Sequence, residues 1–123
     1  MSNRSVHIPT EPNVHRNLGG AFAEGSAYLN ATPITVDVVL SAAGMGKLYF
    51  KATKGGTLKL EILRSGADGV YTAKAHADVT VSDATESVTT ITLMGERGLR
   101  VTFTPGADGV ITYADIAAIL GIQ

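Results

Sequence analysis

The chain has 123 residues with net charge −1, 45% hydrophobic and 17% charged residues, and no cysteine or tryptophan. That length suits one domain with a real core. The near-neutral charge gives no global field toward nucleic acid or an acidic membrane, and the missing cysteines exclude disulfides and thiolate metal sites.

Residues 1–33 come first and differ from the rest. They hold Pro9, Pro12 and Pro33, and also Gly19, Gly20 and Gly25. The opening MSNRSVHIPTEP has no apolar run of the signal-peptide kind, which points to synthesis and folding in a cytoplasm. No apolar stretch reaches the ~18 residues needed to span a bilayer. Apolar residues are scattered through the segment with neither a helical nor a strand period. Charge is too sparse for a disordered tail, with Arg4, Glu11, Arg16 and Glu24 only. The expectation is an extended N-terminal arm that lies on another surface. Its anchors would be Ile8, Val14, Leu18, Phe22 and Tyr28, with Phe22 foremost because it offers the most area in a Gly/Ala setting.

From residue 34 the apolar period is two. ITVDVVL places Ile34, Val36, Val38 and Leu40 on one face, and KLYFKAT does the same for Leu48, Phe50 and Ala52. TLKLEILR turns Leu58, Leu60 and Ile62 inward and Lys59 and Glu61 outward. VYTAKAHADVTV is weaker, with Val70, Val79 and Val81. VTTITLM offers Ile91 and Leu93, and LRVTFT offers Leu99, Val101 and Phe103. Threonine fills many outward positions, as suits a half-exposed pleated surface. The separators SAAGMG, KGG, SGADG, SDATES, GERG and PGADG are turn chemistry. Short strands at this spacing predict an all-β domain over 34–123: an antiparallel β-sandwich, jelly-roll or Ig-like.

TPGADGVITYADIAAIL, Thr104 to Leu120, admits a second reading as the back half of a calcium loop and its exiting helix. Asp108, Gly109, Ile111 and Asp115 fit positions 5, 6, 8 and 12 of such a loop. Thr104 and Gly106 then stand where carboxylates belong, and Pro105 lies between them. A strand, a tight Asp-Gly turn with positive φ and a second strand through Tyr113 is the better reading. Residues 115–120 are open between strand and helix.

Chemistry-bearing clusters are sparse. His76 and Asp78 in HAD would share a strand face if that strand is regular, but two ligands do not make a metal site. No G-x-S-x-G or phosphate-loop context occurs. The expectation is therefore no catalytic residue, no metal and no cofactor. Lys47, Lys51, Lys54, Lys59 and Arg64 precede Asp78, Asp83, Glu86 and Glu96 in sequence, a segregation that could form a complementary surface. The few aromatics disfavour a sugar-stacking platform or a single-strand groove.

The order GGTLKLEILRSGADGVYTAKAHADVTV…TITLMGERGLRVTFTPGAD, over residues 55–110, resembles β-sandwich virion proteins of tailed bacteriophages. These include capsid decoration (cement) proteins and related collar or tail modules. Tyr71 stands where such modules often carry tryptophan. The resemblance implies a non-enzymatic structural protein that binds the outer capsid surface and stabilises contacts between major capsid subunits. Its expected place is the virion, on the capsid exterior, after synthesis in the host cytoplasm. Its expected partners are the major capsid protein and further copies of itself, as dimer or trimer, with no nucleic acid and no membrane. Alternatives are a tail, collar or receptor-binding module, or a carbohydrate- or calcium-binding module of a secreted complex.

Overall fold

The computed structural model describes residues 13–39, 44–65, 71–93 and 98–120. They form nine strands: β1 (Asn13–Asn17), β2 (Ala27–Tyr28), β3 (Ile34–Val39), β4 (Gly44–Ala52), β5 (Gly56–Ser65), β6 (Tyr71–Val81), β7 (Ser87–Leu93), β8 (Gly98–Pro105) and β9 (Gly109–Leu120). A single 3-10 turn, Gly20–Phe22, interrupts them. The period-two segments become strands because alternate side chains fall on opposite faces and one face is apolar.

All pairings are antiparallel. One sheet runs β1-β9-β4-β7, with β2 also on β9; the other runs β3-β8-β5-β6. Successive described strands from β2 onward change sheet at every connection except β5 to β6, which pair as a hairpin. This interleaving is the double Greek key of a jelly roll. It is the sandwich expected from the sequence, in its jelly-roll form.

The core lies between the sheets. Leu48, Phe50, Ile91, Ile111 and Ile116 come from the five-stranded sheet; Leu58, Leu60, Leu99, Val101 and Phe103 come from the other. Val38 is buried, and Ile34, Val36, Ile62 and Val79 are partly buried against the cluster. Leu40 and Val70 lie outside the described residues.

Two expectations fail on the fold. The first is the arm. Residues 13–33 belong to the sandwich: β1 pairs with β9 from Asn13↔Ile119 to Asn17↔Asp115, and β2 pairs with the start of β9. Between them the chain turns at Gly19, Gly20 and Gly25, with φ of 74°, 57° and 85°. Left-handed glycines let it wind tightly and carry Phe22 inward, where the ring is 0% exposed. Tyr28 is 4% exposed. Phe22 meets Phe50 edge-on at 6.0 Å, Phe50 meets Phe103 at 4.8 Å, and Tyr28 meets Phe103 at 5.3 Å. This aromatic chain joins both sheets through residues of the supposed arm. The domain division at residue 33 therefore does not describe residues 13–33.

The second is the Asp-Gly hairpin at 104–113. The stretch is strand, turn and strand, but β8 and β9 lie in different sheets, so the turn is a corner between layers. Gly109 is not among the positive-φ glycines. It is required for space: a Cβ there would lie 2.6 Å from Tyr28 Oη and 2.8 Å from Thr53 Oγ1. Asp108 Oδ1 accepts the Asn30 N–H at 2.7 Å, and Gly106 N–H donates to Gly55 O at 2.9 Å. Residues 115–120 continue β9 as strand, so the stretch has strands where a calcium motif has its loop and helix.

Candidate functional site

The outer face of the four-stranded sheet presents a patterned polar surface. Where β3, β8 and β5 alternate, the inward set is apolar and the outward set is mostly threonine or charged, with buried Leu63 against Gly98 the apolar exception at one end. Register aligns these residues in rows across the strands: Thr35, Thr102, Lys59 and Asp78 in one; Asp37, Arg100, Glu61 and Ala75 in the next; Thr104, Thr57 and Thr80 in a third. Asp37 and Arg100 are the only charged residues of β3 and β8, and the register sets them opposite each other. Arg100 Nε donates to Asp37 Oδ1 at 2.9 Å and Nη2 donates to Oδ2 at 3.2 Å, a bidentate pair. Lys59 Nζ stands 3.9 Å from Glu61 Oε2. The Thr35 and Thr102 hydroxyls are 3.2 Å apart.

Hydrogen bonding to Arg100 holds the Asp37 carboxyl below its ordinary value against a smaller opposing effect of burial, and Asp37 raises Arg100 in turn. Both side chains remain well exposed, at 47% and 37%. Solvent therefore screens the pair, and it contributes about 0.2–1 kcal/mol at most to stability. Its larger effect is to fix the guanidinium plane at the centre of the face. A shallow open depression of about 600 Å³ is lined there by Thr35, Val36, Asp37, Glu61, Arg100 and Thr102. The groups offered are hydroxyls, two carboxylates and one guanidinium. They can exchange hydrogen bonds and charge with a polar partner, and they do not form a nucleophile–base pair.

The opposite face, on the five-stranded sheet, carries Lys47, Tyr49 and Lys51 of β4, Val88, Thr90 and Thr92 of β7, and Tyr113 and Asp115 of β9. Tyr113 Oη donates to Glu86 Oε2. That hydrogen bond to Glu86, then burial, then the charges of Glu86 and Asp115, push the phenol up to about 12.

The residues singled out from the sequence are distributed as follows. Ile8 lies outside the described residues. Val14 sits in β1 opposite Ala118. Leu18 is half-buried against the core, and its N–H donates to Ala114 O at 2.9 Å. Phe22 and Tyr28 are core, and the Tyr28 hydroxyl donates to Lys54 O at 2.6 Å. Leu18, Phe22 and Tyr28 thus do not form an exposed attachment surface.

The basic cluster also divides: Lys47 and Lys51 lie on one sheet, Lys59 and Arg64 on the other, and Lys54 pairs with Asp83 at 3.7 Å. Strands adjacent in sequence alternate between sheets, so a run of charge in sequence becomes two interleaved surfaces. Glu96 lies outside the described residues. His76 is the extra residue of a β-bulge, since Leu60 pairs with Ala77 and Glu61 with Ala75, so HAD does not follow a regular alternation. Among the described residues no three His, Asp or Glu side chains gather as metal ligands would. No sequence motif marks Asp37, Arg100, Thr35 and Thr102. The available signal was the lone charge in each of two otherwise apolar–threonine strands.

No family model and no curated protein matches the sequence. Among solved structures the chain is similar in fold to a part of tripeptidyl peptidase 2 (TPP II), with 12% identity and a TM-score of 0.53, covering 76% of this chain and 9% of that one. The CBM22-1 xylan-binding domain from Paenibacillus barcinonensis Xyn10C gives 7% identity and a TM-score of 0.48, covering 89% of this chain and 95% of that one. A chain of infectious bursal disease virus, Gx strain, gives 17% identity and a TM-score of 0.47, covering 90% and 32%. The present chain thus spans less than a tenth of the peptidase's length. What the chain shares with TPP II at that identity is a β-sandwich fold and nothing finer.

Proposed function

We propose that this jelly roll acts by binding rather than catalysis, as a structural protein of a tailed-phage virion. It docks on the outside of the capsid and reinforces contacts between major capsid subunits. The observation that carries this reading is the outer face of the four-stranded sheet. It is a broad array of threonines and paired charges of both signs on rigid strands, with no reactive constellation. The sequence resemblance over residues 55–110 supports the virion assignment. The binding surface is the sandwich itself, since Phe22 and Tyr28 are spent on its core.

On this reading Arg100 is the centre of the contact. A partner carboxylate can share the guanidinium with Asp37, while Lys59 and Glu61 set orientation and on-rate more than affinity. The test is cosedimentation of the purified chain with capsids that lack it, alongside phage tails and insoluble polysaccharide. Saturable binding to capsids, lost in Arg100→Glu and unchanged in Lys47→Glu on the other face, supports the reading. Binding to tails alone would replace it with a tail or collar role. Binding to polysaccharide alone would give the shallow depression a carbohydrate ligand.

A further inference from the structure

A sandwich has open edges, and each exposes unpaired backbone groups that invite another strand. Among the described residues the edges are β1 with β2, β7, β3 and β6. Three of the four longer edge strands carry the features that deter pairing. β1 is five residues long and contains Arg16. β3 contains Asp37. β6 contains Lys74 and Asp78 and is bulged at His76. β7, SVTTITL, has no charge, no proline and no register shift against β4. It is β-branched at five of its seven positions, and its Val88 side chain is 49% exposed.

The direction of its free groups is fixed by one hydrogen bond. Thr92 N–H points away from β4 and reaches His76 Nε2 at 3.4 Å. Backbone groups alternate along a strand, so Val88 and Thr90 direct their N–H and C=O the same way. No other described residue bonds to the N–H of either.

We propose that β7 is a self-association edge, pairing antiparallel with β7 of a second copy about a two-fold axis at Thr90. The second copy fits because the strand complements itself in this register. Thr90 meets Thr90, a favourable cross-strand pair, and Val88 meets Thr92. Each is a residue whose N–H and C=O already face outward, so all three rows form hydrogen-bonded pairs. Lys47, opposite Thr90 on β4, then stands about 14 Å from its counterpart across three strand spacings, beyond the ~8 Å screening length of physiological salt. His76 acts as a guard, because it must release the Thr92 N–H before the outer rows can form. A strand pair supplies main-chain bonds and little area, so the dimer is concentration-dependent and strengthens where copies are held close together. The same edge exists whether or not the capsid reading holds.

The test uses the purified chain alone. Sedimentation equilibrium should show the average mass rising with concentration toward twice the chain mass. Thr90→Pro should abolish this while preserving the fold, because the Thr90 N–H is outside the β4 ladder. His76→Ala should shift the dimer to several-fold lower concentration. The chain has no cysteine, so Thr90→Cys gives one defined probe: the two Cα atoms of a hydrogen-bonded pair lie about 5.5 Å apart, within disulfide reach. Mild oxidation should link Thr90→Cys into dimers at least tenfold faster than Thr57→Cys on a central strand. If Thr90→Pro does not fold, the cross-linking comparison decides. A chain that stays monomeric at every concentration, a Thr90→Pro variant that still associates, or equal cross-linking at the two cysteines would each overturn the proposal.

Discussion

Phe22→Ala separates a core segment from an arm. The ring is 0% exposed and packs edge-on against Phe50. Withdrawing about 150 Å² of apolar area at about 25 cal/mol/Å² gives roughly 4 kcal/mol. That falls inside the ~3–5 kcal/mol measured for buried Phe→Ala changes, which include the cavity left behind. A domain of this size holds on the order of 5–15 kcal/mol in total. For 123 residues the unfolding entropy near the midpoint is about 0.26 kcal/mol/K, so the melting temperature should fall by about 12–19 °C. Urea titration followed by circular dichroism should show the midpoint fall with an unchanged slope, since the same surface is exposed on unfolding. A chain starting at Thr32 should not fold, because it lacks β1, β2, Phe22 and Tyr28 together. A Phe22→Ala loss below about 0.5 kcal/mol, the range of ordinary surface changes, would refute the core assignment and restore the arm.

Tyr28→Phe removes a hydroxyl that donates to Lys54 O at 2.6 Å and accepts from Lys54 N–H at 3.1 Å; calorimetry should register a loss of about 1–3 kcal/mol. Gly56→Ala places a Cβ against the Thr104 carbonyl and 2.8 Å from Pro105 Cα, so the two strands must separate, at a cost of about 1–3 kcal/mol in denaturant midpoint. The Tyr113 phenol, pushed up to about 12 by Glu86, keeps its proton longer in the folded state than in the unfolded one. Its contribution to stability is therefore full below about pH 10 and is lost as pH rises from ~10 to 12. Absorbance titration should show a late phenolate component that disappears in Tyr113→Phe and moves to lower pH in Glu86→Gln.

The strands were legible where one face is buried and the other is not. β5 shows this best: Leu58 and Leu60 are 0% exposed, while Lys59 faces solvent as its position requires. Alternation reports which face a residue occupies and not which sheet its strand joins, and two features were missed for that reason. The Asp-Gly corner between β8 and β9 looks like a hairpin in sequence, since local turn chemistry does not distinguish a return within a sheet from a crossing between sheets. The run of lysines from Lys47 to Lys59 looks like a patch, yet the β4-to-β5 crossing divides it.

Residues 18–28 escape periodicity for a different reason. Their apolar groups have no period because the backbone has none: three left-handed glycines turn it between two short strands. Phe22 is thus buried by conformation rather than by pattern, and only a long-range partner such as Phe50 marks it as core. The same holds for the polar face. Asp37 and Arg100 are 63 residues apart, and each is an unremarkable outward charge until the β3–β8 register sets one against the other. Sequence periodicity therefore locates the surface positions, while the strand order decides which of them act together, and in a jelly roll that order is set almost wholly by contacts distant in sequence.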